Sequence, residues 1–230
     1  MKKQLLFLTC LLFSLDTFAN VIINGTRFIY LEGMDSIPIQ LTNEGNSVAL
    51  VQAWVDNGNL DSTPESSDSN FYLSPPVVRI EGNQGQQLKL KKLEQKLPDN
   101  IESVFYLNVL DIPKTPDYAK GKNYIQLATR SRIKVFYRPK GLTVAADEAY
   151  KEIIFQLNNN HILVKNNSPY HFTIASISSE DNLNKSLIAA DMIPPLSSKE
   201  LPLKGGLTSH NLVIKYVDDY GAYKSEHVKL

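Results

Sequence analysis

Cysteine is almost absent from this sequence, since its 230 residues include only Cys10. Cys10 lies in an N-terminal segment that we expect to be removed on export, so the mature chain has no cysteine. We therefore expect neither disulfides nor a cysteine-based metal site, and the domains must be stabilised by packing alone.

Catalytic motifs are also absent. The sequence contains no HExxH motif, G-x-S-x-G elbow, P-loop or dinucleotide fingerprint. Glu102 and Asp111 could in principle form an acid–base pair, but structural ion pairing is the favoured interpretation. The four histidines lack metal-ligand spacing and are expected to be surface or hydrogen-bonded residues: His161, His171, His210 and His227. The sequence predicts no enzyme, no metal and no cofactor.

No charge of one sign dominates, because 24 basic residues face 24 acidic ones. Removal of residues 1–19 takes away Lys2, Lys3 and Asp16 and leaves 22 basic and 23 acidic residues. This balance gives no reason to expect nucleic acid or an anionic membrane as partner.

The N-terminal segment 1–19 has the pattern of a signal peptide. Lys2 and Lys3 form a basic end, an apolar stretch covers 5–15, and Thr17-Phe18-Ala19 supplies small residues for cleavage. A buried N-terminal helix is the alternative. The apolar stretch is too short to span a bilayer, and no later run is long enough, so we expect export without membrane insertion.

Short alternating runs bounded by turn residues predict an all-β protein. Turn residues at 82–85 predict a hairpin between two of these runs. Residues 145–151 suffice for one helical turn. The predicted strands cover residues 48–55, 77–80, 87–91, 104–110, 124–137, 153–157, 161–165, 171–177 and 211–217.

Proline and glycine at 138–142 interrupt the pattern and mark a domain boundary. We expect an N-terminal domain over 20–139 and a C-terminal domain over 140–230, each a sandwich. Residues 112–122 form a predicted loop. The serine-rich residues 57–69 are predicted to be a mobile surface loop.

Four sequence blocks follow one another across the predicted first domain. They are Gly25-Thr26-Arg27-Phe28-Ile29-Tyr30, Leu50-Val51-Gln52-Ala53-Trp54-Val55-Asp56, Leu107-Asn108-Val109-Leu110-Asp111-Ile112-Pro113 and Ser131-Arg132-Ile133-Lys134-Val135-Phe136-Tyr137-Arg138-Pro139. Looser blocks follow in the second half, at 155–156, 167–170 and 219–221. In this order and spacing, the blocks resemble the periplasmic pilus chaperones, the PapD-like family.

The resemblance implies two immunoglobulin-like β-sandwich domains set at an angle, with a cleft between them. It implies a chaperone that lends a β-strand to incomplete pilus subunits (pilins or an adhesin), prevents their aggregation and delivers them to an outer-membrane usher. The implied donor strand carries Asn123, Ile125, Leu127 and Thr129 on one face. An ordinary edge strand that buries Ile125 and Leu127 in its own core is the alternative.

The resemblance also implies that Arg27 and Lys134 bind the subunit's C-terminal carboxylate, a role for which both cations are suited. The alternative is two solvated strand cations. Simple alternation puts Lys134 on the face opposite Ile125 and Leu127, so we predict a bulge or bend near 129–131. Glu102, Arg138 and Asp219 match an interdomain ion-pair network that would fix the angle between the domains.

The short loop over 112–122 and the absence of mature cysteines match the short-loop class of these chaperones. Two other classes stay open. A secreted adhesive or glycan-binding sandwich would need exposed aromatic residues, for which Tyr118 and Tyr124 are candidates. A periplasmic hydrolase would need a catalytic pair. An exposed Ile125/Leu127 edge would also favour self-association of the free protein.

Overall fold

The computed structural model describes residues 21–115, 121–207 and 209–230. The predicted signal peptide, Cys10 and Tyr118 lie outside these residues. Strands dominate the described ranges, and a 3₁₀ helix covers Ala146–Glu152, where the sequence predicts a single helical turn. No helix within the described ranges is long and apolar enough to cross a membrane.

Nine strands build the first sandwich. They form a four-stranded sheet in the order β1-β3-β7-β5 and a five-stranded sheet in the order β2-β9-β8-β4-β6. The strands are β1 Val21–Ile23, β2 Arg27–Leu31, β3 Ile37–Asn43, β4 Ala49–Asp56, β5 Phe71–Ser74, β6 Val77–Ile80, β7 Gly85–Lys92, β8 Ser103–Pro113 and β9 Thr129–Arg138.

Alternation of apolar and polar residues explains how these strands pack. In β3, Ile37, Ile39 and Leu41 are buried while the residues between them face outward. Their counterparts from the facing sheet include Val51 and Leu107, and all five belong to one core. Burial of this continuous apolar face is the main force that holds the two sheets together.

The second sandwich is smaller and has its own core, built from β-branched and leucine side chains such as Ile162, Ile174 and Ile214. It pairs a three-stranded sheet, β10-β11-β15, with a five-stranded sheet in which β14 joins β12 beside the path β13-β12-β16-β17. The strands are β10 Ile153–Asn158, β11 His161–Asn166, β12 Phe172–Ser179, β13 Asn182–Ser186, β14 Asp191–Ile193, β15 Ser197–Pro202, β16 Asn211–Val217 and β17 Tyr223–Lys229.

The all-β class with two sandwiches is confirmed, and most predicted strands are present within a few residues. Two predictions are wrong. The turn at 82–85 does not close a hairpin, because β6 pairs with β4 and β7 pairs with β3 and β5, so the turn crosses from one sheet to the other. The long strand predicted over 124–137 begins only at Thr129.

Candidate functional site

Strand β9 carries the charged residues of the site because its side chains alternate between two environments. Ile133, Val135 and Tyr137 point into the core of the first sandwich. Lys134 and Arg138, between and after them, therefore project from the opposite face, which lies against the second domain. β9 is thus both a core strand and one wall of the interdomain cleft.

Arg27 and Lys134 are neighbours across the sheet. They are Cα partners in the parallel ladder that joins β2 to β9, and both side chains are half-buried. Arg27 Nη1 donates to the Val217 carbonyl of the second domain at 3.1 Å, and its guanidinium lies 5.8 Å from the centre of the Phe136 ring. The Arg27 Nε group is buried and has no hydrogen-bond partner among the described residues. Within the described part of the chain, neither cation forms an ion pair.

This arrangement disfavours the two positive charges. Burial lowers the pKa of Arg27, although Asp219, Asp218 and Glu102 partly oppose it. Burial also lowers the pKa of Lys134, and the charge of Arg27 adds to the effect, while Asp191 opposes it. Two desolvated like charges side by side form a site that an anion would stabilise.

Two cavities flank this pair. Arg27 lines a cleft of about 630 Å³ between the domains, whose wall includes the aromatic residues Phe136, Tyr150, Tyr170 and Tyr216. Lys134 lines a second cavity of about 420 Å³ with Tyr106 of the first domain and Thr173 and Asp191 of the second. Both cations therefore face open volume beside the junction.

Arg138 has the opposite character, because carboxylates surround it. It donates to Glu102 Oε1 from Nε at 3.1 Å and from Nη2 at 2.9 Å. It also donates to both carboxylate oxygens of Asp219, at 2.6 and 2.9 Å. Its guanidinium lies 4.8 Å from the Tyr170 ring centre. The structure brings the three predicted residues into one network that spans the two domains.

Further contacts between the domains surround this network. The Glu102 N–H donates to the Pro169 carbonyl at 2.9 Å. Gly221 adopts φ +82°, and a Cβ placed there would collide with Thr26 Oγ1, so only glycine permits this close approach. Gly221 lies in the turn between β16 and β17. Because Thr26 immediately precedes Arg27, this turn of the second domain lies directly against the start of β2.

The predicted donor segment is unpaired. Residues 123–128 form no strand, and Ile125 and Leu127 are 89% and 79% exposed. On the alternate side chains, Gln126 donates to the Pro113 carbonyl and Tyr124 Oη lies 3.1 Å from Thr115 Oγ1. The alternative in which Ile125 and Leu127 are buried in their own core is therefore wrong. Thr129, also exposed, begins β9, and Asn123 lies in the unpaired stretch.

The predicted bulge near 129–131 is also wrong. The β8–β9 register runs without a shift from Asp111↔Thr129 to Ser103↔Tyr137. Lys134 and the odd-numbered residues occupy opposite faces simply because the strand alternates. The pairing of β9 with β8 ends at Thr129, and residues 123–128 before it form no strand.

The face of β9 that carries Arg130 and Arg132 contacts the end of β4 and the loop that follows it. Arg130 donates to the Leu60 carbonyl at 2.7 Å, and Arg132 binds both carboxylate oxygens of Asp56 at 3.1 and 2.6 Å. Trp54 Nε1 donates to Ser62 Oγ at 3.0 Å, and Ser62 is buried. The serine-rich loop predicted to be mobile therefore has several fixed attachment points.

The remaining chemistry of the described residues is structural. Glu102 precedes β8 and Asp111 lies near its other end, about 30 Å along the strand, so they form no acid–base pair. Asp111 Oδ2 accepts the Val21 N–H at 3.2 Å, so among the described residues the ion pair expected of both carboxylates is found for Glu102 only. Among the described residues, no group of three or more acidic or histidine side chains could hold a metal ion.

Family comparison gives these features a common context. Residues 20–143 match the family described as pili and flagellar-assembly chaperone, PapD N-terminal domain, and residues 148–228 match the pili assembly chaperone PapD, C-terminal domain. The chain belongs to the PapD family of pilus assembly chaperones. Members of this chaperone family are not enzymes, so the non-enzymatic prediction is confirmed.

Individual members of the PapD family agree over nearly the whole chain. The chaperone protein HifB of Haemophilus influenzae is 39% identical over 229 residues, with 96% of this chain and 94% of HifB covered. The crystal structure of the YadV chaperone is similar with a TM-score of 0.77, 32% identity, and coverage of 92% of this chain and 100% of YadV. The periplasmic chaperone SfaE aligns with a TM-score of 0.73, 28% identity, and coverage of 91% and 98%.

Sequence reasoning missed one participant of the junction, His171. Its Nδ1 lies 3.0 Å from Glu102 Oε2, and its backbone N–H donates to the same oxygen at 2.9 Å. The general expectation of a hydrogen-bonded histidine holds for it, but its place beside the network was not predicted. The signal available was its position directly after the family-like block at 167–170. Of the others, His227 lies 3.2 Å from Glu180, and His210 is exposed.

Proposed function

We propose that this protein is a periplasmic chaperone that binds pilus subunits by lending them the strand that begins at residue 123. The observation that carries the proposal is the stretch 123–128, which forms no strand and whose Ile125 and Leu127 side chains are exposed. This stretch leads along β9 to the neighbouring cations Arg27 and Lys134, which form no ion pair with the described residues. Exposed apolar residues on an unpaired edge are expected where another chain adds a strand.

The pairing of β9 with β8 and β2 supports one position for the incoming strand. β8 covers one edge of β9 from Thr129 to Tyr137, whereas β2 covers the other edge only from Lys134 onward. Residues 129–133 therefore have no strand partner on the β2 side among the described residues, and this edge is continuous with 123–128. An added strand along this edge would run up to the point where β2 begins, at Arg27.

The charges give the incoming strand its direction. A strand that meets two cations at its end gains most if that end is a C-terminal carboxylate, so it would run parallel to β9. Its carboxylate would lie between Arg27 and Lys134, seven residues or about 23 Å from Leu127. This distance fixes the register, because a slip of one residue would turn every side chain to the wrong face.

The junction gives the site its rigidity. Glu102, Arg138 and Asp219 join the domains through buried or partly buried ion pairs, and we assign them to holding the cleft at a fixed angle. A carboxylate site built from both domains needs such a fixed angle, because Arg27 binds the Val217 carbonyl of the second domain. Exposed surface pairs would contribute only about 0–1 kcal/mol, so burial matters here.

The remaining steps of the proposed function rest on family membership. Export through the signal peptide 1–19 would bring the chain to the periplasm, the compartment named for its relative SfaE. The loaded chaperone would deliver its subunit to an outer-membrane usher, where a neighbouring subunit's extension displaces the lent strand. While free, the uncovered Ile125/Leu127 edge would promote self-association, which sedimentation over a range of concentrations would detect.

Co-purification tests the proposal. The chain is expressed in the periplasm with a pilin from its own genome, beside Arg27→Ala and Lys134→Ala variants. A one-to-one complex that is lost in both variants is the expected result. A complex that survives both substitutions would retain strand lending and overturn the anchor. If the wild-type chain stabilises no pilin, the proposed function fails.

A further inference from the structure

His171 is the buried ionisable side chain of the junction to which neither the ion-pair network nor the proposed anchor gives a role. It lies just before β12, and its side chain is 6% exposed. Both its backbone N–H and its Nδ1 contact Glu102 Oε2. Together with the Glu102–Pro169 backbone bond, these contacts attach Glu102 of the first domain to one short segment of the second.

The other side of the imidazole leads toward Arg27. The His171 ring centre lies 5.5 Å from that of Phe136, and the same Phe136 ring lies 5.8 Å from the Arg27 guanidinium carbon. Phe136 is 3% exposed, so it has little freedom to move unless a neighbour moves. His171, Phe136 and Arg27 thus form a continuous packed row along the wall of the interdomain cleft.

Arg27 needs support from its surroundings to present its free N–H groups. One N–H group is committed to the Val217 carbonyl, and its Nε has no partner among the described residues. A long side chain held by one hydrogen bond has many rotamers, and ordering them on binding reduces affinity. A fixed aromatic face beneath the guanidinium removes part of that loss.

We propose that His171 is a positioning residue for the subunit anchor. Glu102 fixes the imidazole through Nδ1, the imidazole fixes the Phe136 ring, and Phe136 holds the Arg27 guanidinium toward the incoming carboxylate. This inference rests on the proposed function, since it requires Arg27 to bind the subunit. It assigns to His171 an effect on affinity that depends on Arg27, beyond any contribution to domain stability.

A double-mutant cycle separates these possibilities. The probe is a synthetic peptide that carries the C-terminal strand of the co-purified pilin with a free carboxylate. Its affinity is measured for the wild type, His171→Ala, Arg27→Ala and the double variant. We expect His171→Ala to weaken binding about tenfold when Arg27 is present and to have almost no effect in the Arg27→Ala background. The matched control His210→Ala, at an exposed histidine, should bind like the wild type.

A second variant guards against a loss of folding. His171→Asn keeps a side-chain N–H near the Nδ1 position, and hence the bond to Glu102, but it removes the ring that contacts Phe136. It should unfold close to the wild-type midpoint and still bind about as weakly as His171→Ala.

Three outcomes would overturn the inference. Equal losses from His171→Ala in both backgrounds would mean a general structural role, and wild-type affinity of His171→Asn would mean that the ring contact has no effect. If Arg27→Ala itself leaves peptide affinity unchanged, the anchor of the proposed function is wrong, and the inference falls with it.

Discussion

Two cationic sites lie four residues apart on the same face of β9 and differ in their partners. Arg138 binds two carboxylates, Glu102 and Asp219. Lys134, beside Arg27, binds none within the described ranges. Proteins normally pair a buried cation with an anion. The paired Arg138 is therefore expected of a structural junction, and Lys134, which binds no carboxylate of the described residues, is expected of a binding surface.

The pKa values express the same contrast. Burial acts to lower the pKa of Arg138, but Asp219 and Glu102 outweigh it and raise the pKa above its ordinary value. At Lys134 burial and Arg27 act in the same direction and lower the pKa. The surroundings of Arg138 therefore stabilise its positive charge without a ligand. The surroundings of Lys134 disfavour its charge, which a bound anion would stabilise.

Removal of Arg138 should have the largest effect on stability. Arg138→Ala leaves the buried Glu102 carboxylate without its cation, so we expect the free energy of unfolding to fall by about 3–5 kcal/mol. Urea denaturation measures this. The matched control is Arg79→Ala, because the Arg79–Glu81 pair is exposed and should lose at most about 1 kcal/mol. Equal effects of the two variants would contradict a structural junction.

Substitutions in the donor segment should reduce subunit binding and leave stability unchanged, the reverse of what we expect for Arg138→Ala. Leu127→Asp places a charge where an apolar side chain would fill a subunit pocket, so we expect a loss of about 1.5–3 kcal/mol in subunit binding. The unfolding midpoint should not move, because Leu127 is exposed. Competition between the wild type and the variant for the whole pilin subunit, co-expressed in the periplasm, provides the test.

Gln126→Ala is the control for the donor segment, since Gln126 binds back to the Pro113 carbonyl. It should retain most of the affinity. If Leu127→Asp bound as well as the wild type, the segment would not be the lent strand.

The half-buried charge of Lys134 should destabilise the free protein slightly. Lys134→Met removes a half-buried charge without a partner, so we expect a gain in stability of about 1 kcal/mol at neutral pH. Because the folded-state pKa of Lys134 is lowered, the unfolded chain binds the proton more tightly. Wild-type stability should therefore rise with pH from the lowered folded pKa up to 10.5, and the advantage of Lys134→Met should shrink over that window.

Denaturation curves at several pH values measure this small effect. Lys89→Met, at an exposed lysine, should change stability by less than about 0.5 kcal/mol. A loss of stability in Lys134→Met at neutral pH would mean that the charge is already compensated in the free protein.

The sequence allowed the strands, the two sandwiches and the carriers of charge to be predicted, because alternation and turn residues are local signals. The crossing at 82–85 was missed because local turn chemistry does not say which strands pair afterwards. The start of β9 is misplaced because residues 124–128 alternate as a strand does but pair with no strand of the described ranges. The proposed role of His171 depends on contacts across the two domains, which neither spacing nor composition encodes.

The most direct test of the anchor compares two peptides that carry the C-terminal strand of the pilin. One ends in a free carboxylate and the other in an amide, and the affinity of each is measured for the wild type and for the Arg27→Ala/Lys134→Ala double variant. We predict that amidation weakens binding to the wild type by about 30-fold or more and barely affects the double variant. Equal affinity of the wild type for both peptides would contradict the assignment of Arg27 and Lys134 as a carboxylate site.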